Sequence, residues 1–304
     1  MERISFNSDI KIEDKNEYLE ALKEKGDRTV AAKLDRSEFF RFKGDYEVLT
    51  GELENILKEK SPHFSFLDIG VGNMEEPLSY LAVIHYETEK RDHKLEDICE
   101  FDMVDIRPKE EIKMKSSLGK GPKFGAFLPE EKKSPATIEP RLPKKGYEHF
   151  FEFSEAKGEY EFKTEVVGYL EKQLNNQDRA HFGIPVENFL RDLKIRYDFI
   201  ACNNVLQHLG GIDDYRSPVK DKGLPQEEYK KYFDVASKIL NAVKPGGIIF
   251  MHTSGDMTDN EGRGTGDIIG DLPFFKENFE QVALGVFRRK VEVETGESDI
   301  DHKT

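Results

Sequence analysis

Between residues 64 and 79 the chain reads FSFLDIGVGNMEEPLS, an apolar run interrupted by two glycines and then by two carboxylates. Phe64, Phe66, Leu67 and Ile69 predict a short strand, Gly70 and Gly72 a turn, and Glu75 and Glu76 the opening of a helix. A strand, a glycine turn and a helix N-terminus in that order form a ligand cradle of the doubly wound α/β kind.

The rest of the chain repeats the alternation of strands and helices. An amphipathic helix carries Tyr46, Leu49, Leu53, Ile56 and Leu57 on one face, ahead of the first strand. A helix from Glu75 to about Thr88 bears Leu78, Leu81, Ala82 and His85, and a second strand covers 99–106. Aromatic residues Phe150, Phe151 and Phe153 and an alternating stretch at 160–162 come next. A helix with Val166, Val167, Leu170 and Leu174 then leads to a strand near 181–184. Residues 197–203 (YDFIACN) are nearly continuously apolar, as a central strand covered on both faces must be. A helix over 227–243 runs into Lys244-Pro245-Gly246-Gly247, a helix stop and turn, and a strand at 248–252. A strand pair is expected over 280–288 and 290–294. The predicted fold is α/β, a doubly wound Rossmann-like sheet. Residues 1–43 are a short helical N-terminal segment, with helical patterns at 16–24 and 28–34, and residues 44–304 form the sheet domain.

The acids at the turn discriminate between ligands. A dinucleotide seats its pyrophosphate on the helix N-terminus, where Asp68, Glu75 and Glu76 would repel it. S-adenosylmethionine has no phosphate and carries a sulfonium and an ammonium group, which acids attract. A methyltransferase therefore fits better than a dehydrogenase. Asp105 ends the second strand, where a carboxylate can accept hydrogen bonds from both ribose hydroxyls. It lies 35 residues after Gly70, whereas the dinucleotide fingerprint places its acid about 20 residues on. Asn204, Gln207 and His208 follow the central strand at its carboxyl end, where open α/β sheets bind ligands, and Asn188 is placed similarly. A loop cap competes as the role of each.

The formal net charge of −14 argues against broad nucleic-acid binding, which needs a basic face. Residues 109–146 run the other way, with ten Lys/Arg, five Glu and five Pro. They predict a long basic loop inserted after strand two, either solvated or docking an acidic partner. No apolar run is long enough to cross a bilayer, and the opening MERISFNSDIKIEDKNE lacks the apolar core of a signal peptide. Cys99 and Cys202 sit in strand-like segments and are expected to be buried small hydrophobes in a reducing compartment. The expectation is a cytoplasmic protein without membrane insertion. No metal site is expected either, since the Gly/Asp-rich residues 255–270 do not match an EF-hand.

Separate blocks between about residues 35 and 292 resemble the CheR-type family, the S-adenosylmethionine-dependent methyltransferases of chemotaxis-receptor glutamates. Ser37-Glu38-Phe39-Phe40-Arg41 is similar to that family's Thr-x-Phe-Phe-Arg block, and Glu75-Glu76-Pro77-Leu78-Ser79 to its Glu-Glu-Pro-Tyr-Ser. Glu187-Asn188-Phe189 resembles its His-Asn-Leu segment near the adenine, and Cys202-Asn203-Asn204-Val205-Leu206 its Cys-Arg-Asn-Val-Leu. Lys244-Pro245-Gly246-Gly247 and Phe287-Arg288-Arg289 resemble its later turn and closing strand. Met74 stands where the family has glycine, Asn203 where it has arginine, and His208 where it has a tyrosine beside the methyl-transfer site. The resemblance implies a class I methyltransferase sheet. It implies cofactor contacts from Ser37, Arg41, Asp68, Gly70, Gly72, Glu75, Glu76, Asp105, Asn188, Phe189, Asn203 and Asn204. The implied substrate is a protein bearing a glutamate side chain.

A carboxylate acceptor needs an orienting cation rather than a base, and Arg41 is the candidate. His208 opens a second chemistry, in which an imidazole deprotonates another nucleophile, on a small molecule or a different side chain. A non-catalytic regulatory domain that binds the cofactor is a third possibility.

Overall fold

β1 (Phe64–Ile69) is buried at every position, as a strand flanked and covered on all sides must be. It pairs in parallel with β2 (Cys99–Asp105) on one side and with β8 (Tyr197–Ala201) on the other. β7 (Ala180–Phe182) extends the sheet beyond β2, and β9 (Val243–Phe250) extends it beyond β8, both in parallel. β11 (Val286–Arg289) then runs antiparallel between β9 and β10 (Phe279–Ala283). The computed structural model describes residues 39–40, 43–72, 74–122, 138–143, 145–203, 234, 237–251 and 273–291. Among them the seven-stranded order is β7-β2-β1-β8-β9-β11-β10. The chain winds outward from β1 to β7, crosses back to β8, and winds outward on the other side. This is the doubly wound Rossmann-like sheet expected from the sequence.

Period-two alternation divides the core into two layers. Phe64, Phe66, Phe101, Met103, Phe199 and Phe250 face α1 (Lys43–Ile56) and α2 (Glu75–Glu89), meeting Leu49, Leu53, Leu78 and Leu81. A short turn of helix, α3 (Leu95–Ile98), leads into β2, and α4 (Thr164–Leu174) adds Val166 and Leu170 to the same layer. Leu67, Ile69, Val104, Ile200 and Ile249 face the opposite side. They lie under Val186 and Leu190 of α5 (Val186–Asp192), Ile239 of a helix at 237–242, and Phe275 of α6 (Pro273–Asn278). Each such side chain contributes about 1.5–3 kcal/mol on full burial, so these layers outweigh local propensity.

Several boundaries differ from expectation, among them the end of β8 at Ala201 rather than 203 and β7 at Ala180–Phe182 rather than 181–184, and three have identifiable reasons. β2 stops at Asp105 rather than 106, and Ile106 turns outward with 66% of its surface exposed. Lys244-Pro245-Gly246-Gly247 lies inside β9 as a bulge, because Tyr197 faces Val243 while Phe199 already faces Ile248. Gly246 holds φ at 81°, and a Cβ on Gly247 would come within 2.9 Å of the Asp198 carbonyl, so both positions require glycine. The final hairpin turns at Leu284-Gly285, where Gly285 takes φ of 68°, and not at residue 289.

Part of the predicted basic loop is structured. After a single 3-10 turn at Lys109–Glu111, the Leu118 N–H donates to the Tyr160 carbonyl and the Phe162 N–H to that of Ser116. β3 (Lys120–Pro122) pairs antiparallel with β4 (Ile138–Pro140), and β5 (Phe151–Ser154) with β6 (Glu159–Phe162). Phe39, Phe40, Phe150, Phe151 and Phe162 interlock here, with ring centroids 4.9 Å apart for Phe39–Phe162 and 4.8 Å for Phe40–Phe150. The helical patterns at 16–24 and 28–34, the first part of the helix at 227–243, and residues 123–137 and 255–270 lie outside the described residues. Among the described residues, no helix is long and apolar enough to cross a membrane.

Candidate functional site

The sheet reverses its winding between β1 and β8, and the crevice beyond their carboxyl ends is where ligands bind open α/β sheets. At that edge the Gly70 N–H donates to the Val104 carbonyl at 2.8 Å, ending the β1–β2 ladder. Gly70 and Gly72 then take φ of 76° and 57° and swing the chain into α2. Met74, at the start of that helix, also has positive φ, 70°, and no side-chain cap. A non-glycine residue there costs about 1–2 kcal/mol. The Met74 side chain is fully buried in the α1–α2 layer, which offsets the strain.

Acids converge on this turn. Asp68 faces the α2 side of the sheet with Phe66, and both carboxylate oxygens are buried with no hydrogen-bond donor among the described residues. Burial, reinforced by the neighbouring Asp105 charge, pushes its carboxyl up to about 8. Asp105, buried at the tip of β2, is fully engaged. Its Oδ1 accepts from the Arg107 backbone N–H at 2.9 Å and from Arg107 Nε at 3.1 Å, and its Oδ2 accepts from Nη2 at 2.9 Å. The same Nη2 donates to the Gly72 carbonyl. Glu75 is buried in the first turn of α2, 3.8 Å from Lys115 Nζ. Glu76 is half-buried beside it. The positive dipole end of α2 favours both carboxylates.

The other predicted residues divide into three groups. Asn203, at the end of β8, is buried, and its amide donates to the Tyr80 hydroxyl at 2.8 Å. Tyr80 in turn donates to Asp45 Oδ2 of α1. Asn203 therefore ties α1, α2 and β8 together beneath the crevice. Asn188 is exposed on α5, and Phe189 next to it is half-buried against the His181 ring, 4.9 Å between centroids. Ser37, Arg41, Asn204, Gln207 and His208 lie outside the described residues. The Phe40 N–H donates to Ser79 Oγ at 3.1 Å, and Ser79 donates to the Glu75 carbonyl. The Phe-Phe-Arg and Glu-Glu-Pro-x-Ser blocks thus meet at one hydrogen bond, between residues 39 apart in sequence.

Sequence reasoning missed Arg107, whose spacing of two from Asp105 was the available signal. It also missed Ile106, which leaves β2 exposed next to Asp105, and the Asp45–Tyr80 pair, which only tertiary packing brings together. Among the described residues, no group of three or more His, Cys, Asp or Glu side chains is arranged to hold a metal. What the arrangement offers is a glycine turn, a buried acid without a donor among the described residues, and a second acid held by Arg107.

No family model matches the chain, and no curated protein does. Among solved structures, an O-methyltransferase family protein from Burkholderia thailandensis is similar over 90% of this chain and 70% of its own, at 10% identity and a TM-score of 0.33. An rRNA methylase from Streptococcus thermophilus is similar over 81% of this chain and 95% of its own, at 10% identity and a TM-score of 0.32. An S-adenosylmethionine-dependent methyltransferase from Methanosarcina mazei is similar over 66% of this chain at 11% identity and a TM-score of 0.25. The chain spans about half of that protein's length (55%), and 45% of a matched structure from Galdieria sulphuraria. At these scores the likenesses carry no argument about chemistry, which rests on the chain's own residues.

Proposed function

We propose that this chain binds S-adenosylmethionine in the β1–β2 cradle and transfers a methyl group to a glutamate carboxylate presented by a protein. The observation that carries the cofactor reading is Asp68. A buried carboxylate without a donor costs about 1–3 kcal/mol or more, and a ligand ammonium at the glycine turn would remove that cost. A pyrophosphate would add to it. Gly70 and Gly72 let a ligand approach the backbone, and Asp105 stands at the right strand end to receive ribose hydroxyls.

When bound, S-adenosylmethionine supplies an electrophilic methyl on a positively charged sulfur. The acceptor carboxylate is ionised at neutral pH, since glutamate titrates near 4.3, so the protein has only to orient it and exclude water. Arg41 takes that orienting role in this proposal, through a bidentate guanidinium–carboxylate pair. The Phe40–Ser79 hydrogen bond supports the assignment, because it fastens the residue before Arg41 to α2. The two buried cysteines, neither in a disulfide, accord with a reducing, cytoplasmic setting.

The cofactor part is tested by calorimetric titration with S-adenosylhomocysteine, with NAD as competitor. Asp105→Ala is expected to weaken binding on the order of tenfold, and an unchanged dissociation constant would remove Asp105 from the site. The acceptor part is tested by transfer of radiolabelled methyl groups to a mixed proteome. Methyl label released by mild alkali supports carboxyl esters. Alkali-stable label points to the nucleophile chemistry of His208, and cofactor binding without any transfer points to a regulatory domain.

A further inference from the structure

The carboxylate placed to receive a ribose is already occupied by a side chain of the chain itself. Arg107 sends three donors to Asp105, using both carboxylate oxygens, and a further bond to the Gly72 carbonyl on the opposite side of the cradle. It therefore spans the opening from the tip of β2 to the glycine turn after β1. Asp105 is buried beneath it, while 35% of the Arg107 side chain remains exposed. The guanidinium closes the seat from the solvent side. Ribose hydroxyls need the same oxygens, and a carboxylate has about four lone-pair sites in all.

We propose that Arg107 is a displaceable strap over the cofactor seat, setting cofactor affinity by competing with the ribose hydroxyls for Asp105. The proposal rests on the reading of this cradle as an S-adenosylmethionine site. The Arg107 end of the pair is partly exposed, so the guanidinium regains water as it leaves, and a ligand that brings its own hydroxyl donors replaces the hydrogen bonds Asp105 gives up. The backbone N–H of residue 107 stays on Asp105 Oδ1 throughout, so the carboxylate keeps its orientation when the side chain leaves. The competing role for Arg107 is permanent orientation of Asp105, and it predicts the opposite sign on removal.

The test is calorimetric titration of S-adenosylhomocysteine into wild type, Arg107→Ala, Arg107→Lys and Asp105→Ala, with folding checked by circular dichroism. A second readout follows the Arg107 Nε–H resonance by nitrogen-15 NMR. Arg107→Ala should bind about three- to tenfold more tightly than wild type, with Arg107→Lys in between because it keeps the charge without the fork. The Nε–H signal should lose its protection from exchange at saturation. Equal or weaker binding by Arg107→Ala, with wild-type binding intact and weakened in Asp105→Ala, would overturn the strap and leave the cradle standing. Absence of binding in every folded variant, Arg107→Ala included, would overturn the cradle and the strap with it.

Discussion

Two residues at the glycine turn carry strain that makes opposite predictions. Asp68 is an acid whose folded-state value, about 8, lies above the roughly 3.9 of an unfolded chain. Between those values the folded state holds a proton that the unfolded state has released, so this group lowers stability as pH rises. The slope from one group is at most about 1.4 kcal/mol per pH unit. Asp68→Asn keeps the shape and deletes the titration. It should gain stability relative to wild type progressively from pH 5 to pH 8 in urea unfolding, and parallel curves would mean that Asp68 is ionised and hydrated. Met74 combines a positive φ with complete burial. Met74→Gly relieves about 1–2 kcal/mol of backbone strain and forfeits about 1.5–3 kcal/mol of burial, whereas Met74→Ala forfeits burial alone and keeps the strain. Glycine should therefore be the milder substitution by about 1 kcal/mol, reversing the usual order at a helix start.

At the scale of elements, the sheet is bolted together at the end opposite the cradle. Asp102 of β2 accepts from the Tyr197 hydroxyl of β8 at 2.7 Å, reaching past β1, and from Arg179 Nη1 ahead of β7 at 3.0 Å. Asp102 is buried and Arg179 is its cation. Arg179→Met leaves that carboxylate without its charge partner and should cost about 3–5 kcal/mol, while Tyr197→Phe removes one hydrogen bond and should cost about 1.5–3 kcal/mol at most. Equal losses in chemical denaturation would show that the charge of Arg179 contributes no more to Asp102 than the Tyr197 hydrogen bond does. None of this network was legible in the sequence, because its members are 77 and 95 residues apart and follow no local period. The strands themselves were legible, since β1 and β8 are apolar runs covered on both faces, and so was the acidic turn. Two of the missed boundaries fell where a glycine's φ decided the outcome, at Gly246 and Gly285. The structured part of residues 109–146 was obscured by a composition of lysine and proline that masks the pairing of residues 116–118 with β6. At the site, Asp68 and Asp105 were visible as strand-end acids, but their contrast was not. Among the described residues one lacks a donor and the other accepts three hydrogen bonds from Arg107, a difference that only neighbouring groups create.

For the whole molecule these local facts combine into a single linkage between ligand, proton and fold. Ligand that binds only the folded state stabilises it by about 2.7 kcal/mol at one hundred times its dissociation constant. For a chain of this length that corresponds to a rise in Tm of about 5 °C. If the ammonium of S-adenosylhomocysteine sits on Asp68, binding at pH 6 must first expel the proton held there, whereas near pH 8 half of the molecules have already released it. Affinity should rise with pH over this interval, by up to about tenfold per unit, even though the unliganded fold loses stability over the same range. The net charge of −14 reinforces the attraction without reproducing its pH profile, because carboxylates near their ordinary values are fully ionised from pH 6 to pH 8. Thermal scans at a fixed ligand concentration should therefore show a larger shift at pH 8 than at pH 6 for wild type. Asp68→Asn should show a small shift of equal size at both. A wild-type shift independent of pH would place the ammonium away from Asp68 and leave that carboxylate a protonated core residue, with Asp105 as the cradle's working acid.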